Sequence, residues 1–176
     1  MTILTMTLIS VLLAALGMGA AIGMTHWLER KSWRESLPDS ISAMVYLLPA
    51  TGGWRWLWSL WMILVDVFTF TPAIEILDRS GLGFAAFLPM VMTAFVAVWP
   101  LFDTDHRKWH YIFAVLAGII SQVPCVCLVC PWWLLLWISL PLIAYFGRRE
   151  EWLDGKGVLI SEAICYTAVI ASCLTA

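Results

Sequence analysis

Between its charged clusters this chain stays apolar for about 20 residues at a time, the length that carries an α-helix across the hydrocarbon core of a bilayer. Six such stretches can be marked, at 3–24, 54–77, 82–102, 109–130, 131–146 and 158–176. Lipid offers backbone amides no hydrogen-bond partner, and the stretches lack the alternation of a barrel strand, so each is predicted to be helical. Composition points the same way. Of the 176 residues 62% are hydrophobic and 12% charged, and a soluble domain of this size could not bury that much apolar surface. The expected fold is all-α: a single integral membrane domain over 1–176, built as a polytopic transmembrane bundle of about six spans with one short interfacial helix. A net charge of -2 and the lack of a long basic run give no reason to expect a nucleic-acid partner.

The spans have recognisable punctuation. Gly17, Gly19 and Gly23 in the first are small enough to let another helix approach closely. A cleavable signal peptide is the rival reading of that segment, given Ala14, Ala15, Ala20 and Ala21; the length of the apolar run and the lack of a basic residue before it favour a retained span. The charged stretch 26–39 is expected to be a loop. Residues 40–50 are apolar but too few to cross, so they are predicted to form an interfacial or re-entrant helix capped by Asp39 or Ser40. Trp54, Arg55, Trp56 and Trp58 suit a headgroup boundary, Asp78 to Gly81 a tight turn, and Pro131 a hairpin that divides one long apolar run in two.

Basic residues fall on one side of this arrangement. Arg30, Lys31, Arg34, Arg107, Lys108, Arg148, Arg149 and Lys156 follow spans one, three and five, with Arg55 close to the same boundary, against Arg79 alone on the other side. Short basic loops stay in the cytoplasm, so loops 25–53, 103–108 and 147–157 are predicted inside and both termini outside.

The candidate chemistry lies at the start of the fourth span. On a helix Asp103, His106 and His110 share one face, and two imidazoles with a carboxylate could hold zinc with a position left for water. Asp105 or Glu162 would then serve as the base. The plainer reading makes Asp103 a helix cap, Asp105 a partner of the helix dipole, and the histidines interfacial groups satisfied by water. Asp66 falls mid-span, where an ionised carboxylate costs about 2.5–3.5 kcal/mol, so it is expected to face other helices, as a functional group or as a hydrogen bond between two of them. Asp39, Ser40, Ser42, Glu162 and the two histidines are expected at one membrane depth. Cys130 and Cys173 could pair in an oxidising compartment, though packed free thiols are the expected state.

His106, Trp109 and His110 at the opening of a transmembrane helix resemble the motif of the alkaline ceramidase superfamily of membrane-embedded hydrolases. That resemblance implies zinc held by His106 and His110 and cleavage of a lipid amide or related bond. Over its length, and most clearly from Asp39 to Leu47, through the tryptophan-flanked second span, to His110, the chain also resembles a group of small six-span bacterial membrane proteins. This implies the architecture and a bacterial inner membrane, without a particular activity. Two functions follow as expectations: a small membrane component that binds a lipid, a membrane-protein partner or a second copy of itself, and a zinc-dependent hydrolase acting on lipid at the cytoplasmic leaflet.

Overall fold

The structure is a computed structural model that describes residues 1–46, 55–98, 107–149 and 155–176. It is all-helical, with no strand among those residues. Helix α1 runs from Ile3 to Leu28 and is followed by a 3-10 turn at Ser42–Tyr46. Then come α2 (Arg55–Asp78), α3 (Gly83–Val98) and α4 (Arg107–Gln122). The last runs on into a π turn at Val123–Cys127. A 3-10 helix at Pro131–Ile138 leads into α5 (Ser139–Arg149), and α6 spans Gly157–Thr175. Four runs are long and apolar enough to cross a membrane: Ile3–Leu28, Trp56–Asp78, Lys108–Cys127 and Gly157–Thr175. Helix α3 and the segment Pro131–Ile143 are shorter apolar helices.

Local chemistry explains the boundaries. Thr2 caps α1 by accepting from the Thr5 amide at 3.2 Å. The helix then passes its expected end at Met24, through His26, to Leu28; the mixed charged loop begins only at Glu29, and Arg30 takes the left-handed conformation, φ 53°, as the chain leaves the helix. The end of α2 is the predicted tight turn: Leu82 N–H reaches Leu77 O at 2.9 Å, Gly81 N–H reaches Asp78 O at 3.0 Å, and Gly81 supplies the φ of +72° that this closure needs. Residue Cys130, extended as a residue before proline must be, breaks the chain before Pro131 as expected. The π turn was not foreseen. Pro124 has no N–H and its ring crowds the preceding turn, and the wider turn accommodates both. The predicted interfacial helix at 40–50 is a 3-10 turn at Ser42–Tyr46, capped by Ser40, whose Oγ accepts from Ala43 N–H at 3.0 Å; 47–50 lie outside the described residues.

The buried apolar residues collect in two clusters, one toward each end of the helices. One joins Phe70, Ala73 and Leu77 late in α2 to Ala86 early in α3, Val126 in the π turn and Val169 late in α6. The other joins Ala21 late in α1 to Met44 in the 3-10 turn, Trp58 and Met62 early in α2 and Ala97 late in α3. Successive helices therefore run up and down. Arg30, Lys31, Arg34, Lys108 and Lys156 follow or open elements at the second end, while Arg79 follows Leu77 at the first.

Helix α1 docks on α2 through polar contacts and one glycine. Trp61 Nε1–H donates to Leu13 O at 2.7 Å, and Ser10 and Thr69 share a hydroxyl hydrogen bond of 2.5 Å. A Cβ at Gly17 would run into the Trp61 indole, whereas one at Gly19 or Gly23 would meet nothing within 4 Å. Only Gly17, of the three glycines singled out in the sequence, is a close-approach site. Gly17→Leu should therefore cost about 1–3 kcal/mol by overpacking, read as a lower melting temperature in detergent, and Gly19→Ala should leave that temperature unchanged or slightly raised.

Outside the helices, Ser32 and Glu35 close a reciprocal cap: Ser32 N–H and Oγ–H donate to Glu35 Oε2 at 2.9 and 2.8 Å, and Glu35 N–H donates back to Ser32 Oγ at 3.3 Å. The Ser32 amide and hydroxyl together hold the Glu35 carboxyl below the usual glutamate value of 4.5. Its contribution is fully present above that value and is lost as pH falls through the lowered one. The Ser32 amide resonance should report this titration, and Ser32→Ala should move it to higher pH.

Candidate functional site: a cleft between the fourth and sixth helices

The segment before the 3-10 turn is strapped onto the start of α6. Lys156 Nζ donates to Leu37 O at 2.7 Å and pairs with Asp39 Oδ1 at 2.6 Å, while Leu159 N–H donates to Asp39 O at 3.1 Å. Two residues further on, Glu162 Oε2 accepts from Ile41 N–H at 2.5 Å. Ser40 and Ser42 exchange a hydroxyl hydrogen bond of 3.0 Å. The carboxylate of Glu162 thus fixes the backbone of the strap, and the strap carries Asp39, Ser40 and Ser42 to the mouth of a cleft.

That cleft has a volume of about 1000 Å³. Along α4 it is lined by His110, Ala114, Gly118 and Gln122, one residue per turn on a single face, with Val115 and Ile119 beside them. Ser161, Glu162 and Cys165 of α6 form the facing wall. The two helices come near each other at Gly118, where a Cβ would stand 3.8 Å from Cys165 Sγ. At the far end Gln122 is held on three sides: Nε2 donates to Ser121 Oγ (3.1 Å) and Cys165 O (3.3 Å), and Oε1 accepts from Trp137 Nε1–H (3.1 Å). The cleft is therefore polar at both ends and apolar between.

A smaller cavity of about 70 Å³ adjoins it, sharing Ser42, Ala114, Gly118, Glu162 and Cys165 and reaching inward to Thr93 and Tyr166. Behind Tyr166 lies Asp66, 1% exposed, whose Oδ1 accepts from the Tyr166 hydroxyl at 2.5 Å. Asp66 faces other helices, as its position in the sequence requires.

The candidates from the sequence divide as follows. Asp103, Asp105 and His106 lie outside the described residues. His110 is 2% exposed, lies edge-on to Tyr111 at 6.0 Å, and lines the cleft that Glu162, Asp39, Ser40 and Ser42 also line. Residues expected to share a depth thus share a cavity. The burial of His110 departs from the expectation of an imidazole satisfied by water at the interface. His26 is elsewhere, stacked on Trp33 at 4.0 Å and bonded to Lys31 O at 2.6 Å. Among the described residues no three His, Cys, Asp or Glu side chains converge on a metal position, and all five cysteines, Cys130 and Cys173 included, are free thiols. Of the three zinc ligands suggested by the sequence, His110 alone is among the described residues. Three participants went unnoticed in the sequence: Lys156 as the anchor of the strap, Tyr166 as the partner of Asp66, and Gln122. The last had a signal, being the chain's single carboxamide side chain, set inside an apolar run.

Comparison of the chain with models of known protein families, with curated proteins and with solved structures finds no match in any of the three.

Glu162→Ala should speed amide hydrogen exchange at Ile41 by about tenfold or more, the loss expected for a hydrogen bond to a carboxylate. Lys156→Met should have a smaller effect at Leu159, because Asp39 is largely exposed and such pairs contribute at most about 1 kcal/mol. Unchanged protection at Ile41 in the first variant would contradict the strap.

Proposed function

We propose that this chain is a six-span integral membrane protein that holds a lipid in the cleft between α4 and α6. The observation that carries this is the amphipathic profile of the cleft. His110, Asp39, Ser40, Ser42 and Glu162 make one end polar, suited to a headgroup, Ala114, Val115, Gly118 and Ile119 offer hydrocarbon beyond them, and the Gln122 carboxamide at the far end is occupied by protein partners. From His110 to Val123 the lined face of α4 is about 20 Å long at about 1.5 Å per residue, two thirds of the ~30 Å hydrocarbon core. The volume is at the upper end of ordinary ligand sites.

Four runs are long enough to cross on their own, and the length of the segment after Pro131 supports a further span. Eight 3-10 residues at about 2.0 Å and the eight α residues 139–146 at about 1.5 Å give the apolar run 131–146 a reach of about 28 Å, close to the ~30 Å hydrocarbon core. The basic residues at one end of the bundle support an orientation with that end in the cytoplasm of a bacterial cell, both termini outside, and the polar end of the cleft in the inner leaflet. A membrane-protein partner or a second copy is the alternative occupant of the exposed apolar surface.

The second reading, a zinc-dependent hydrolase acting on lipid, is favoured by His110 and Glu162 lining one cleft. Zinc held by His106, His110 and Asp103 would supply Lewis-acid chemistry there, with Glu162 or Asp105 as the base.

Native mass spectrometry of the detergent-purified protein should show bound lipid, and Ala114→Trp, which fills the cleft, should lower its occupancy at least about tenfold, a difference of about 1.4 kcal/mol. Occupancy that Ala114→Trp leaves unchanged would remove the cleft as the site. Stoichiometric zinc, lost in His110→Ala together with lipid cleavage, would decide for the hydrolase.

A further inference from the structure

Asp66 is isolated from positive charge. The elements packed against α2 are α1, α3, α6, the 3-10 turn at Ser42–Tyr46 and the π turn, and none of them contains a lysine or arginine. Their titratable groups are His26 in the last turn of α1, Tyr46 in the 3-10 turn, Cys125 and Cys127 in the π turn, and Glu162, Cys165, Tyr166 and Cys173 on α6. Of these titratable groups, Tyr166 is the one bonded to Asp66. The other carboxyl oxygen, Oδ2, has no partner within hydrogen-bond distance among the described residues; the Thr93 hydroxyl lies beside the carboxyl and is shared with Pro89 O and Met90 O, at 2.9 and 3.0 Å. A bare carboxylate there would be unpaired in hydrocarbon. A proton on Oδ2 removes that charge without requiring a cation.

Tyr166 separates this carboxyl from the inner cavity, and Glu162 lines both that cavity and the outer cleft. At about 70 Å³ the cavity has room for a few waters, each needing about 10–15 Å³, with Thr93, Ser121, Tyr166 and Glu162 as polar neighbours. The geometry points to Asp66 as an intramembrane proton-binding site that exchanges with the cleft by way of Tyr166, cavity water and Glu162. In one exchange the neutral carboxyl turns its O–H toward Tyr166 and gives that proton to the phenol oxygen, while the phenol's own proton passes to cavity water, leaving Asp66 transiently a carboxylate. Water hands the proton on to the Glu162 carboxylate and Glu162 to the cleft; a proton returns by the same steps in reverse, so that one proton is replaced by another and no other bond changes. The route is independent of what the cleft binds.

Infrared difference spectroscopy of the detergent-solubilised full chain tests this. At neutral pH the protein should show a protonated-carboxyl stretch that is absent in Asp66→Asn. If that variant does not fold, ¹³C labelling of aspartate carboxyl carbons identifies the same band, because solvent-facing aspartates are ionised at that pH. On transfer to D₂O the wild-type band should shift promptly, and Tyr166→Phe and Glu162→Gln should each slow the shift by at least about tenfold. Absence of an aspartate band at neutral pH would overturn the site. A band that exchanges equally fast in wild type and both variants would overturn the route, and one that never exchanges in wild type would reduce Asp66 to a sealed helix-to-helix hydrogen bond.

Discussion

A polar group that enters hydrocarbon must be satisfied by another part of the protein, because no water is present to do it. Apolar contacts between helices do little to choose a register there, since lipid tails are as apolar as leucine. In this chain the cross-helix polar pairs make that choice. Ser10 meets Thr69 and Trp61 meets the Leu13 carbonyl between α1 and α2, Ser59 donates to the Ala97 carbonyl between α2 and α3, Tyr166 meets Asp66 between α6 and α2, and Gln122 ties α4 to Cys165 and Trp137. Each is worth only about 0.6 kcal/mol by typical measurement in membranes, yet a slide of one helix by a turn would break several at once.

The cleft follows from the same rule. Helices α4 and α6 face each other across small residues, Ala114 and Gly118 on one side and Ser161 and Cys165 on the other, which leave space where leucines would have closed it. Polar groups gather where the space opens: Glu162 is occupied with the Ile41 amide and Gln122 with three partners. The strap from Leu37 to Ile41 depends on α6 for its position, and the serines it carries sit at the mouth of the cleft because Lys156 and Glu162 hold its backbone.

Much of this could be read from local chemistry. Helical periodicity, Gly81 after Asp78, Pro131 after Cys130 and Ser40 ahead of a short apolar run each determine structure within a few residues, and each does so in the fold. Level along the helices was legible too, since sequence position sets it: Asp39, Ser42, His110 and Glu162, expected at one level, line one cavity. Position within the membrane plane was not. Whether Asp66 would meet Tyr166, a hundred residues away, depends on helix rotation and neighbour order, which no local pattern encodes. The π turn at Val123–Cys127 and the eight-residue 3-10 helix after Pro131 were missed for another reason: Pro124 and Pro131 announce an interruption, while the kind of helix that results is settled by packing.

Helix α1 presents Leu4, Leu8, Leu12 and Leu16 outward and keeps Thr7, Ser10, Ala21 and Thr25 inward. Its threonines fold their hydroxyls back onto the Ile3 and Ala21 carbonyls, so most of its hydrogen-bonding needs are met before any neighbour arrives. What ties such a segment to the rest is the Trp61 indole against its glycine and the Ser10 hydroxyl against Thr69. The seam between α1 and α2 is therefore held at a few defined points, these two and the Trp61 hydrogen bond to the Leu13 carbonyl, rather than by a continuous apolar face.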